Sequence, residues 1–201
     1  MPLSRREFFK FGAGATAGAA LAGFGLNVAQ AQDASAALIG QDPLLHLLNR
    51  VTWGVTGADL THARQIGFHA YLDEQLHPEN HADPATDALL QRLPILSMDR
   101  SSLYRLGEQE HRLLQAMVGG MVLRAVHSRH QLLERMVDFW AGHFNIYIPE
   151  QSADMILFHR DVLRDHALGN FRALLLATAK APAMLTYLDN ALNVAEDPNE
   201  N

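Results

Sequence analysis

From Asp42 onward the apolar residues return at intervals of three and four, the period of a helix buried along one side. Nowhere do they alternate with polar residues between turn signals, as a half-buried strand requires. The predicted class is all-α, an irregular multi-helix domain. Asp42-Pro43 offers an N-cap followed by proline at the first helical position, launching Leu44, Leu45, Leu47 and Leu48 toward Arg50. A turn at residues 53–57 leads into a helix over about 58–66, which Gly67 can stop as a left-handed cap; a second short helix over 68–76 ends at His77-Pro78. Residues 78–102 hold Pro78, Pro84 and Pro94 and few periodic apolar positions, the pattern of a surface loop with a short helix around 85–93.

From Glu110 the periodicity strengthens through Leu113, Met117, Met121 and the apolar run 123–126, in a helix that contains Gly119-Gly120. Each glycine costs a helix about 1 kcal/mol relative to alanine, so the pair needs a reason: close packing against a neighbour, or a kink. Ser128 is placed to cap a helix over 129–143. Its Leu132, Leu133, Met136, Val137, Phe139 and Trp140 gather on one side, with Gln131, Glu134, Arg135 and Asp138 on the other. Residues 144–149 form a connector, Ser152 caps a helix running to about His166, another extends to Lys180 after the Gly169-Asn170 break, and Pro182 begins a last one through Leu188.

Ahead of Asp42 the pattern changes in kind. Arg5, Arg6, Phe8 and Lys10 lie in a twin-arginine export motif, read by a receptor, and a soft Ala/Gly-rich apolar stretch follows over 11–28. Too few bulky side chains occur there for a permanent membrane span. Ala29-Gln30-Ala31 gives the small-x-small pattern of a cleavage site, so cleavage is expected after Ala31 and no stable membrane span after it. Gly12-Ala13-Gly14-Ala15-Thr16-Ala17-Gly18 mimics a dinucleotide fingerprint, but the strand that gives such a motif its mechanical meaning is missing. The expected organisation is a signal peptide over 1–31, a tether over 32–41 and a helical domain over 42–201. The expected location is periplasmic or secreted, reached in the folded state through the twin-arginine translocase.

Charge and composition narrow the function. The net charge is −6; removing Arg5, Arg6 and Lys10 with Glu7 takes away +2 and leaves −8. Nucleic acid, which asks for a lysine and arginine stripe, is thereby set aside as a partner. With no cysteine in the sequence, disulfides, thiolate metal sites and a cysteine nucleophile are excluded. The sequence has no G-x-S-x-G elbow and no phosphate-binding G-x-x-x-x-G-K-S/T loop.

Five ordered stretches carry a family likeness: HLLNRVTWGVT (46–56), YLDEQLHPE (71–79), MVDFWAGHFNI (136–146), RDVLRDHALGNFRALLLATAKAPAMLTYLDN (160–190) and PNEN (198–201). Together they resemble the bacterial family known as domain of unknown function 1800. The resemblance implies a helical, exported protein with no established activity, whose genes often lie beside a second uncharacterised family, and hence a co-exported partner. Relatives usually continue past PNEN into a helix beginning Tyr-Ala-Arg-Glu, so the chain is expected to be the incomplete N-terminal part of a larger helical fold. Many relatives carry a polar residue where this sequence has Gly142, just before the histidine of the FWxxHF motif.

All 11 histidines lie beyond residue 31, so the imidazoles belong to the working protein. His143 continues the apolar stripe of its helix, three residues after Trp140, and His159 and His166 share a face with Met155 and Val162. Imidazole is the commonest neutral metal ligand, and two antiparallel helices could converge these three on a divalent metal. Against this, helix-borne ligand pairs use i and i+4 spacing, whereas His159 and His166 stand about 10 Å apart along an axis; hydrogen bonding at core edges or helix ends accounts for them better. A second cluster, Asp189-Asn190 with Asn199-Glu200-Asn201, offers oxygens to a hard cation, or simply caps and turns. Two readings follow. One is a binding or assembly module acting with a co-exported partner. The other is a metal-dependent periplasmic hydrolase or other enzyme, with His143, His159, His166, Asp189 and Glu200 as ligands and His143, His159, His166 and Glu200 as the catalytic acid/base set. A concave meeting of these groups with a carboxylate would favour the enzyme; dispersal with an exposed apolar patch would favour the module.

Overall fold

The computed structural model describes residues 42–106, 109–147 and 152–195, and among them every regular element is helical. The chain divides into two compact units between His46 and Leu47. Of the first only residues 42–46 are described: the Asp42 carboxylate accepts from the amides of Leu44 and Leu45 at 2.9 and 3.2 Å, starting α1 (Pro43–Val51).

In the second unit, Thr56 and Asp59 form a reciprocal capping box that opens α2 (Gly57–Ile66). Gly67 stops that helix with φ 85° and ψ 167°, outside the left-handed helical region expected and in one that only glycine enters freely. Next come α3 (Phe68–Leu76), α4 (Pro84–Leu90) and α5 (Arg100–Arg105), with single 3₁₀ turns at Pro78–Asn80 and Pro94–Ser97. The stretch read as mostly loop is thus largely helical. Two of these short elements supply one apolar core anchor each, Ile95 from the second 3₁₀ turn and Leu103 from α5 just past the stretch, and isolated anchors leave no period to detect. Asp83 and Asp99 cap α4 and α5 through the amides of Thr86 and Ser102.

α6 (Glu110–His127) and α7 (Gln131–Phe144) meet at a junction sealed by two buried glutamines. Gln75 of α3 donates to the Arg129 carbonyl and accepts from the Leu132 amide, while Gln131 donates to the Ala125 and Ser128 carbonyls and accepts from the Trp53 amide. Ser128 accepts from the His130 amide, and α7 starts at Gln131, two residues later than expected. It ends on Asn145 in the left-handed conformation, φ 48°.

The next helix, α8, comprises Ser152–Leu157, a π-helical stretch Phe158–Leu163 and Arg164–His166. Asn170 caps α9 (Phe171–Lys180) through the amides of Arg172 and Ala173, α10 (Pro182–Tyr187) follows, and a 3₁₀ turn closes at Asn190–Leu192. Two apolar cores lie along α8. Ala153, Ile156 and Leu157 join Ile95, Leu103, Leu113 and Ala116 in one; Phe158 and Leu163 join Val137, Ile146, Leu174 and Ala183 in the other. The π turn occurs where the helix passes from the first core to the second, and a pocket opens at that seam. No helix among the described residues is long and apolar enough to cross a membrane.

Candidate functional site

The seam holds a pocket of about 220 Å³ between α6, α7 and α8. Its apolar wall is made by Leu96, Met117, Met121, Val137, Ile156 and Trp53. Its polar wall is made by Arg124, Glu134, Asp138, His159, Arg160 and Arg164.

The polar wall rests on a reversal in α7. Gln131 and Glu134, on the helix face that the residue pattern assigns to water, are only 7% and 8% exposed, while Phe139 of the apolar face is 55% exposed. Glu134 survives burial because Arg164 grips it with both guanidinium nitrogens, at 3.0 and 2.5 Å. A buried carboxylate is tolerable only with such a fork. Arg160 is tied as well, donating to the Leu96 and Met98 carbonyls at 3.2 and 2.7 Å and pairing with Asp161. Nearby, Arg135 donates to the Thr52 carbonyl and lies 5.8 Å over the Trp53 ring.

Arg124 is the exception. Its guanidinium makes no hydrogen bond and no ion pair with any described residue. Burial, reinforced by the neighbouring Arg164 charge, pushes its pKa down to about 10 despite the opposing pull of Glu134 and Asp87. His159 is similarly dissatisfied: its Nδ1 is buried without a hydrogen-bond partner among the described residues. Burial, then Arg164, pushes its pKa down to about 4, with Asp138 opposing. At neutral pH the ring is uncharged, with one nitrogen to donate and one to accept a hydrogen bond.

The histidines do not converge. His143 is exposed at the end of α7, where it stacks on Phe139 at 6.1 Å and meets the edges of Trp140 and Phe144. The stripe it was expected to extend inward has run out into solvent by that turn, because Trp140 is anchored beneath it by a 3.0 Å bond from its indole nitrogen to the Ala167 carbonyl. His166 is half-buried at the end of α8 and does not line the pocket. The extra residue accommodated by the π turn rotates everything beyond it by about 100°, separating His166 from the face of His159. Asp189 is exposed in a left-handed turn after α10. Glu200, the export residues Arg5, Arg6, Phe8 and Lys10, and the cleavage residues Ala29 and Ala31 lie outside the described residues. Among the described residues no three histidines or carboxylates are grouped so as to hold a metal.

Arg124, Glu134, Arg160 and Arg164 were not singled out from the sequence. One signal was available: Arg124 interrupts the apolar run 123–126. A charged residue set among apolar neighbours asks what neutralises it.

A family model described as protein of unknown function (DUF1800) matches residues 46–201, and one for the TAT (twin-arginine translocation) pathway signal sequence matches residues 2–22. No curated protein and no solved structure matches the chain.

Proposed function

The chain belongs to the DUF1800 family of proteins of unknown function and is exported by the twin-arginine route; on that footing we propose that it is a binding or assembly module acting with a co-exported partner. The observation that supports this reading is a row of aliphatic side chains on α6. Leu114, Val118, Val122 and Val126 are 41%, 49%, 55% and 65% exposed, and their spacing of four sets them in a row about 18 Å long that winds by about 120° around the helix. Branched aliphatics in register, exposed over more than three turns, suit a partner helix or sheet better than water.

The test is a photo-crosslinking residue at Val118 in the exported protein, with Thr61, on the exposed side of α2, as control. A discrete crosslinked product at Val118, absent at Thr61 and lost in Val122→Lys, is expected. No product, or the same products from both positions, refutes the reading.

The enzyme reading keeps one support, that His159 shares a pocket with Glu134 and Asp138. Near-stoichiometric divalent metal in the exported protein, lost in His159→Ala, would favour it; metal content indifferent to that substitution would not.

A further inference from the structure

We propose that the pocket between α6, α7 and α8 is a binding site for a small organic carboxylate with an apolar body, its carboxylate held by the Arg124 guanidinium. Three features carry this. The first is charge. Of the three arginines lining the pocket, Arg164 is committed to Glu134 and Arg160 to Asp161 and two carbonyls, whereas Arg124 has no hydrogen-bond or ion-pair partner among the described residues. A half-buried guanidinium with no protein partner is partly desolvated, and an anion that enters with two acceptor oxygens offers it charge-assisted hydrogen bonds. Glu134 cannot fill this role, because the Arg164 fork holds both of its oxygens.

The second feature is the apolar part of the lining, where methionine, leucine and isoleucine side chains offer no hydrogen bonds. Inorganic anions would leave that surface wet, whereas an acyl or aryl body would cover it, and methionine adapts to varied shapes. The third is size. A cavity of about 150 Å³ holds benzene, so 220 Å³ takes a body of about nine non-hydrogen atoms. The His159 ring lines the same pocket with its Nδ1 buried and unpartnered among the described residues, and as the N–H tautomer at that nitrogen it can donate a hydrogen bond to the bound carboxylate. Val122 borders both this pocket and the exposed row on α6, but the site stands without the partner surface.

The test is calorimetric titration of the full exported protein with octanoate, octan-1-ol and inorganic phosphate, repeated on Arg124→Met. Saturable one-to-one binding of octanoate is expected, at least tenfold tighter than octan-1-ol or phosphate. Arg124→Met should weaken octanoate at least tenfold and leave octan-1-ol unchanged. The same variant, having lost an uncompensated charge, should melt no lower than wild type. Absence of saturable octanoate binding overturns the proposal, as does equal affinity for octan-1-ol, phosphate as strong as octanoate, or octanoate binding indifferent to Arg124→Met. A fall in the melting temperature of Arg124→Met also overturns it, because a guanidinium that holds the fold together is not one waiting for a ligand.

Discussion

The paired glycines of α6 should respond differently to the same substitution. At Gly119 an added Cβ would stand 3.6 Å from Leu93 Cδ1, an ordinary contact, and the residue sits inside a helix of 18 residues. Gly119→Ala should therefore recover most of the helix-propensity difference, about 1 kcal/mol, raising the melting temperature by about 2–4 °C for a domain of this size. At Gly120 the added Cβ would stand 2.5 Å from Leu96 Cδ1 and 3.4 Å from Arg124 Nη1. Leu96 would have to retreat by more than about 1 Å to reach van der Waals distance, and overpacking of this kind costs about 1–3 kcal/mol. Set against the same propensity gain, Gly120→Ala should be neutral or destabilising by up to about 2 kcal/mol. Urea titrations of both variants beside wild type measure the difference. Leu96→Ala in the Gly120→Ala background should show a favourable coupling of about 1 kcal/mol, because the two substitutions relieve each other. Gly120→Ala stabilising as much as Gly119→Ala, with no coupling to Leu96, would refute the reasoning that the second glycine is there for close approach.

Three further outcomes are expected. Glu134→Leu strands the Arg164 charge and should cost about 3 kcal/mol, whereas Glu134→Leu/Arg164→Met should recover most of it in the same urea titrations. The folded pKa of His159, about 4, lies below its ordinary value of 6.5, so the unfolded chain takes up the proton first and stability falls as pH drops from about 6.5 toward 4. The loss from this group is up to about 3 kcal/mol, and melting curves of His159→Leu over that range should show a correspondingly shallower decline. Asn145 holds φ 48° at the end of α7, so Asn145→Ala should lose about 1 kcal/mol in melting experiments while Asn145→Gly loses nothing.

The elements that were legible in the sequence were those whose caps and periods agree. Asp42-Pro43, Asn170 and Pro182 each stand where a helix begins, and α3 runs over the expected residues 68–76. Local chemistry fixes such boundaries and needs no neighbour. The 78–102 stretch was misjudged because its apolar anchor, Ile95, like Leu103 just beyond it, is buried by tertiary packing and not by a repeating pattern. The site was least legible. A polar residue on a helix reads as solvent-facing unless its partner is known, and the partner of Glu134 is thirty residues away in sequence. The π turn that separates His166 from His159 likewise follows from α8 serving two cores, and spacing counted at 3.6 residues per turn cannot anticipate it.

The two exceptions to ordinary burial point in one direction. A chain selected for stability alone would place aliphatics inward and charges outward, yet here Leu114, Val118, Val122 and Val126 face solvent, while Glu134 is buried and Arg124 half-buried. Each departure carries a cost, in apolar surface left wet or in a charge taken out of water. Local rules broken in neighbouring places on the same two helices are better explained by use than by accident. Val122 belongs to both departures, so a partner laid along α6 would also cover the mouth of the pocket. If partner and carboxylate bind as argued, they should not be independent: a ligand enclosed by the partner leaves more slowly, and by reciprocity the ligand tightens the partner by the same factor. Octanoate should then increase the Val118 crosslink in wild type and leave it unchanged in Arg124→Met, and a crosslink yield indifferent to octanoate in wild type would separate the two sites.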